Sequence, residues 1–135
     1  MSLLSRVSEA RTARMAKVLI AENELALREF IARGLAQRGY EVAMAQDGSD
    51  AVDLLKKQKL DLLLTDIDMP IMDGIALALL VGKDYPKTRI VIMSGHEHQL
   101  ERAQGLSDLV HRVVSKPFTI AAICTVVDQA LGKKR

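Results

Sequence analysis

Apolar and polar positions along the chain alternate in a way that predicts five strands and five helices. Short apolar runs typical of buried strands occupy residues 18–21, 41–45, 60–65, 89–94 and 111–114. Segments with apolar residues at helical spacing follow these runs, over about 25–39, 51–59, 74–84, 98–106 and 119–131. Strands alternating with helices through short loops favour an α/β fold, in which helices cover both faces of a parallel sheet.

Polar residues stand where the predicted strands end. These residues are Glu22, Asn23 and Glu24 after the first strand, Asp66 and Asp68 after the third, Ser94 after the fourth and Lys116 after the fifth. Taken singly, each has an ordinary explanation as a turn or loop residue. Ligands of doubly wound sheets bind beyond the carboxyl ends of the strands, so these side chains are expected on one rim. Together they indicate a site for a hard cation and a phosphoryl group.

Composition narrows the class of protein. The 135 residues suffice for one domain, and 49% of them are hydrophobic while 3% are aromatic. Excluding the basic ends, residues 18–132 hold 12 basic and 16 acidic residues, a net charge of −4. An acidic body with few aromatic side chains argues against a nucleic-acid partner. No apolar run approaches the roughly 20 residues that a membrane span needs, so no membrane partner is expected.

The ends of the chain and its cysteine add further expectations. Residues 1–16 are predicted to be an extension, either non-native or helical, and 132–135 a basic tail, with a single domain over 17–131. Cys124 lies in an apolar stretch and predicts a buried, inert thiol. One cysteine and no secretion signal favour a cytoplasmic protein.

Two segments give the chain a family resemblance. Residues 66–74 read Asp-Ile-Asp-Met-Pro-Ile-Met-Asp-Gly, and residues 115–118 read Ser-Lys-Pro-Phe. Over about 17–131 the sequence resembles the receiver domain of two-component response regulators. The resemblance implies a doubly wound five-stranded parallel sheet of the flavodoxin or CheY-like type, in strand order 2-1-3-4-5. It also implies Asp66 as phospho-acceptor, Ser94 as the switch hydroxyl and Lys116 as the lysine that pairs with the phosphoryl group.

The same resemblance implies a magnesium ion and a phosphoryl donor. The metal set carried over is Glu22, Asn23, Asp66 and Asp68, the last acting through its backbone carbonyl, and the donor is a histidine kinase or histidine phosphotransfer protein. The family usually has Asp-Asp where this chain has Glu22-Asn23, so weaker magnesium binding is expected. Val113 stands where many receivers have an aromatic switch residue, so any switch is expected to run through Ser94.

These observations predict a bacterial, cytoplasmic, single-domain response regulator that is not an enzyme and that signals by phosphorylation-dependent protein binding. Since the chain ends soon after the last predicted helix, no effector domain is expected. In this the chain resembles the CpdR-type protease adaptors. Transfer of phosphate within a relay is comparably plausible. One alternative, motivated by Asn23, is a degenerate receiver that acts as an adaptor without phosphorylation. The other is a haloacid-dehalogenase-type phosphatase, which needs an acidic metal motif after Lys116, where only Asp128 follows.

Overall fold

The computed structural model describes residues 16–95 and 97–132, and the side chains of all of these except 97–100. Strands and helices alternate through the described residues. The strands are β1 (Lys17–Ala21), β2 (Glu41–Ala45), β3 (Leu62–Asp66), β4 (Arg89–Ser94) and β5 (Arg112–Ser115). The helices are α1 (Leu25–Gln37), α2 (Gly48–Lys57), α3 (Gly74–Asp84), α4 (Glu97–Gln104) and α5 (Ile120–Ala130). All strands are parallel and lie in the order β2-β1-β3-β4-β5, which confirms the expected topology.

Several elements begin or end within a few residues of the predicted boundaries, and β3 and α2 show the differences that matter most for the site. The third strand was predicted over 60–65, but β3 begins at Leu62, and the Leu60 carbonyl accepts a hydrogen bond from the Thr88 hydroxyl at 2.8 Å. At its other end β3 includes Asp66, which pairs with Met93. The second helix begins earlier than predicted, since the Asp47 side chain accepts from the backbone N–H of Asp50 at 2.8 Å and caps it. Because β3 extends to Asp66, the prospective nucleophile is a strand residue rather than a loop residue.

Alternating side chains of the strands build a separate core on each face of the sheet. In β1, Val18 and Ile20 face α1 and α5, while Leu19 faces α2 and α3. The central strand β3 is buried along its whole length. Each fully buried aliphatic side chain contributes about 1.5–3 kcal/mol, so the sheet is a rigid support for residues at its rim.

A buried ion pair joins α5 to the segment before β2. The Asp128 carboxylate is 2% exposed and accepts hydrogen bonds from Arg38 Nε at 3.2 Å, from Arg38 Nη2 at 3.0 Å and from the Tyr40 hydroxyl. Burial and the adjacent carboxylate raise the pKa of Tyr40, so its hydroxyl stays a donor. Because 38 and 40 precede β2, this cluster lies at the edge of the sheet opposite Asp66.

Other sequence expectations are tested only in part. Cys124 is buried as predicted, and burial raises the pKa of its thiol, which makes it unreactive. No helix among the described residues is long and apolar enough to cross a bilayer. The predicted extension and tail, except for Ala16 and Gly132, lie outside the described residues.

Candidate functional site

Asp66 occupies the carboxyl end of the central strand. Asp66 is 4% exposed, and its strand β3 pairs with β1 on one side and with β4 on the other. The Thr65 hydroxyl donates to the Asp66 carbonyl at 2.9 Å. Neighbouring strands therefore hold this carboxylate in place, with its oxygens at the rim of the sheet.

Lys116 reaches Asp66 from the end of β5. The backbone N–H of Lys116 donates to the Ser94 carbonyl at 2.8 Å, which extends the β4–β5 pairing to the residue after the strand. From there its Nζ lies 2.9 Å from Asp66 Oδ2 and 3.4 Å from Glu22 Oε1. One ammonium thus bridges two carboxylates that come from different strand ends.

Glu22 is the second buried acid at the rim. It is 2% exposed, its Oε2 accepts from the Glu24 backbone N–H at 2.9 Å, and its carbonyl accepts from Arg28 at 2.6 Å. Burial is the main reason that the pKa of Glu22 is raised, and the neighbouring Asp66 carboxylate adds to it. For Lys116, burial opposes the charged form, but Asp66 and Glu22 outweigh it, so its pKa is raised.

The structure places the predicted site residues at one rim and buries some of them while leaving others exposed. Ser94, 3% exposed, ends β4 beside Asp66, so Asp66, Lys116, Ser94 and Glu22 share one rim, as predicted from the strand ends. The side chains of Asn23 and Asp68 belong to exposed residues at the same rim. The buried carboxylates at the rim are therefore those of Asp66 and Glu22, and Asp68 adds an exposed one.

The donor set fits a hard divalent cation. Asp66 and Glu22 place two buried carboxylates at the rim, and the family resemblance implies the Asp68 carbonyl and the Asn23 amide as neutral ligands beside them. Among the described residues, no group of three or more histidine, cysteine or acidic side chains is arranged to hold a metal. Mg²⁺ suits a site with few carboxylates because it keeps several of its waters.

Two features of the loop after Asp66 were not anticipated from the sequence. A Cβ on Gly74 would lie 2.0 Å from the Asp66 carbonyl oxygen, so the start of α3 packs directly against the end of β3. Asp73 caps α3 through the Ala76 N–H at 2.8 Å and pairs with Arg102 of α4 at 3.1 Å. The Asp-Gly pair before a helical stripe is a recognisable cap signal. Nothing in the sequence marks Arg102 as its partner.

The raised pKa of Glu22 gives the site a testable pH dependence. An acid whose pKa lies above its ordinary 4.5 in the folded protein takes up protons more readily when folded, so stability falls as pH rises through that range. Glu22→Gln should have a higher free energy of unfolding than wild type at pH 7. As the pH falls towards 4.5, this difference in the free energy of unfolding should shrink. Urea unfolding across this range measures the difference. Glu24→Gln, at an exposed position, is the matched control, and an equal response of both variants would contradict the assignment.

Comparisons with known proteins agree with this geometry. The family model of the response regulator receiver domain matches residues 18–128. The response regulator receiver protein CpdR of Brucella abortus is 31% identical over 117 residues, which cover 87% of this chain and 98% of that protein.

Solved structures give the same result. The chemotaxis response regulator CheY4 of Vibrio cholerae has a TM-score of 0.79 at 26% identity, over 87% of this chain and 99% of that one. The response regulator TrrA of Thermotoga maritima, solved with Mg²⁺-BeF, has a TM-score of 0.78 at 26% identity over 87% and 100% of the two chains. The rim that joins Asp66, Lys116, Ser94 and Glu22 thus belongs to a chain of the response regulator receiver domain family.

Proposed function

We propose that this receiver accepts a phosphoryl group on Asp66 from a histidine kinase or histidine phosphotransfer protein in the bacterial cytoplasm and signals by phosphorylation-dependent binding to another protein. The observation that carries the proposal is the 2.9 Å contact between Lys116 Nζ and Asp66 Oδ2. The buried carboxylate is the nucleophile, and the ammonium beside it neutralises the negative charge that develops during phosphoryl transfer.

The chemistry follows from the charges at the rim. An Asp66 carboxylate oxygen forms a bond to phosphorus, while the bond between phosphorus and the donor's histidine nitrogen breaks and that nitrogen keeps the electron pair. The reaction brings a carboxylate towards an anionic phosphoryl group, which costs energy unless cations screen the charge. Lys116 supplies one positive charge, and Ser94 offers a hydroxyl at the neighbouring strand end.

A bound Mg²⁺ would supply the remaining positive charge next to the phosphoryl oxygens. Asp66 and Glu22 are the carboxylates that would hold it, with the Asp68 carbonyl and the Asn23 amide as neutral oxygens. TrrA was solved with Mg²⁺ and a beryllium fluoride group, which supports the same requirement here.

Phosphoryl uptake from acetyl phosphate tests the proposal. Wild type should gain the mass of one phosphoryl group in the presence of magnesium, and Asp66→Asn should gain none, because the amide is not a nucleophile. Intact-mass spectrometry measures both. Asp53→Asn is the matched control, since it removes an exposed carboxylate of α2 away from the rim and leaves the nucleophile. Uptake by Asp66→Asn would disprove the assignment of the acceptor.

The amide at position 23 sets the expected strength of metal binding. Asn23→Asp adds one carboxylate to the rim and should tighten magnesium binding about tenfold or more, because affinity for hard cations depends on ligand charge. Isothermal titration with magnesium measures the change. If affinity does not rise, Glu22 already fills that role and the departure from the Asp-Asp pattern has no consequence for the metal.

A phosphorylation-independent adaptor is the second candidate, and the Glu22 contact favours it. In the resting protein Lys116 already bridges Glu22 and Asp66, so the site satisfies its own charges without a phosphoryl group. The acetyl phosphate experiment separates the candidates, since an adaptor of this kind would gain no mass in either form.

The geometry argues against the phosphatase alternative. A phosphatase of this type needs an acidic metal ligand after Lys116 in the sequence, and Asp128 is the acid at such a position. Asp128 bonds to Arg38 and Tyr40 at the opposite edge of the sheet. Its carboxylate is therefore unable to serve a metal beside Asp66.

A further inference from the structure

A cleft with a cationic rim opens at the edge of the sheet opposite Asp66. It encloses about 550 Å³ between the end of α2 with the loop that follows it and the turn between α3 and β4. Leu55 and Leu60, both 4% exposed, and the half-buried Tyr85 give it an apolar floor. This volume and lining fall within the range of sites that bind ligands or partner side chains.

Four lysines stand around this floor. They are Lys56, Lys57, Lys59 and Lys87, and all are exposed. None of them forms an ion pair with a residue in the described part of the chain. One acid, Asp61, also lines the cleft, and its Oδ2 accepts from the Lys17 backbone N–H at 2.7 Å.

The charge of the cleft contrasts with that of the protein around it. Residues 18–132 carry a net charge of −4, yet a third of their basic side chains lie around this one cavity. Lysines at 56 and 57 have an ordinary explanation, because cations near the carboxyl end of a helix interact favourably with its dipole. Lys59 and Lys87 lie outside α2, so the dipole does not account for them.

A second cleft continues the first across the sheet edge. It encloses about 510 Å³, shares Pro86 and Thr88 with the first, and reaches Arg89, Leu109 and His111 beside β5. Leu109 is 40% exposed and adds an apolar contact along this path. Asp108 also lines the second cleft, so the lysine-rimmed first cleft is the part suited to an acidic segment, while the second cleft offers Leu109 as a further apolar contact.

We propose that this lysine-rimmed groove, lined by residues 55–61 and 85–88, docks an acidic segment of a partner protein that also carries apolar side chains. Acidic side chains of the segment pair with the lysines, and an apolar side chain enters the cleft above Leu55, Leu60 and Tyr85. The groove lies at the end of the sheet opposite Asp66. It therefore offers a binding surface separate from the one that phosphorylation of Asp66 would control under the proposed function.

Binding of a designed peptide tests the proposal. A fluorescein-labelled twelve-residue peptide of glutamates with two leucines should bind at low salt, while the same peptide with glutamine for glutamate should bind at least about tenfold more weakly. Fluorescence anisotropy measures the affinity. Amide chemical shifts should change in 55–61 and 85–90, which identifies the groove independently.

Replacing the lysines supplies the matched variants. Changing Lys56, Lys57, Lys59 and Lys87 to glutamine should weaken the acidic peptide about tenfold or more, while Lys83→Gln, an exposed lysine of α3 outside the cleft, should not. Tyr85→Ser should weaken binding even at high salt, because it removes part of the apolar floor. Peptide binding that is insensitive to the lysines, shift changes elsewhere, or binding of ATP without binding of the peptide would each overturn the proposal.

Discussion

Asp128→Ala should lower the free energy of unfolding by about 3 kcal/mol, the largest loss expected from a single polar substitution in the described residues. The change removes the carboxylate that accepts from Arg38 and Tyr40, and leaves a partly buried guanidinium and a buried hydroxyl without that partner. A buried charge that loses its partner costs more than the pair itself contributes. Urea unfolding followed by circular dichroism measures the loss.

Two variants separate the ion pair from general effects of changing α5. Thr125→Ala, at an exposed position of the same helix, should change stability by less than about 0.5 kcal/mol. Tyr40→Phe should cost about 1–2 kcal/mol, since Asp128 keeps its bonds to Arg38. A loss below about 1 kcal/mol for Asp128→Ala would mean that water or another group compensates for the missing carboxylate.

Gly74→Ala should reduce the rate of phosphoryl uptake by about a hundredfold. The added Cβ would lie 2.0 Å from the Asp66 carbonyl oxygen and 2.9 Å from the Ile67 Cα, both backbone atoms of the segment that positions the nucleophile. Backbone has to move to relieve such contacts, and a misplacement of about 1 Å at a reacting group costs on the order of a hundredfold in rate. Time-resolved mass spectrometry with acetyl phosphate measures the rate.

Gly105→Ala is the matched control for this substitution. Its Cβ would lie 3.4 Å from the Arg102 carbonyl oxygen, close to ordinary van der Waals contact. The control should retain uptake within about twofold of wild type. If Gly74→Ala also retained uptake, α3 would be free to shift as a unit and the close approach would have no catalytic role.

The family resemblance was sufficient to predict the strand order, and the pattern of strand ends was sufficient to predict the acid at the centre of the rim. Short apolar runs locate β1, β3 and β4 because these strands are buried on both faces. Parallel strands present their carboxyl ends at one edge, so Asp66, Ser94 and Lys116 follow from their positions after strands. Direct contact between Lys116 and Asp66 is the physical outcome of that placement.

Other features depend on contacts that no local pattern encodes. The Lys116 bond to Glu22 joins residues 94 positions apart, and its geometry depends on how the β5 end packs beside β1 and β3. Asp128 was a polar residue in an otherwise apolar helix stripe, which signals a buried partner, but nothing in the sequence identifies Arg38. The lysines of the groove come from the end of α2, the loop after it and the turn between α3 and β4, and the fold alone brings them together.

The acids of the rim outnumber Lys116, and the lysines of the groove outnumber Asp61, so these charges contribute an electric dipole along the strands. Carboxylates of Glu22, Asp66 and Asp68 lie at one end of the sheet, and the lysine-rimmed groove lies at the other. A charged partner approaching from solution experiences this field before contact, so it arrives in a preferred orientation and at a rate that falls as salt is added. Under the proposed function, a phosphoryl group on Asp66 would add negative charge at the acidic end, and the long-range field that orients a charged partner before contact would become stronger.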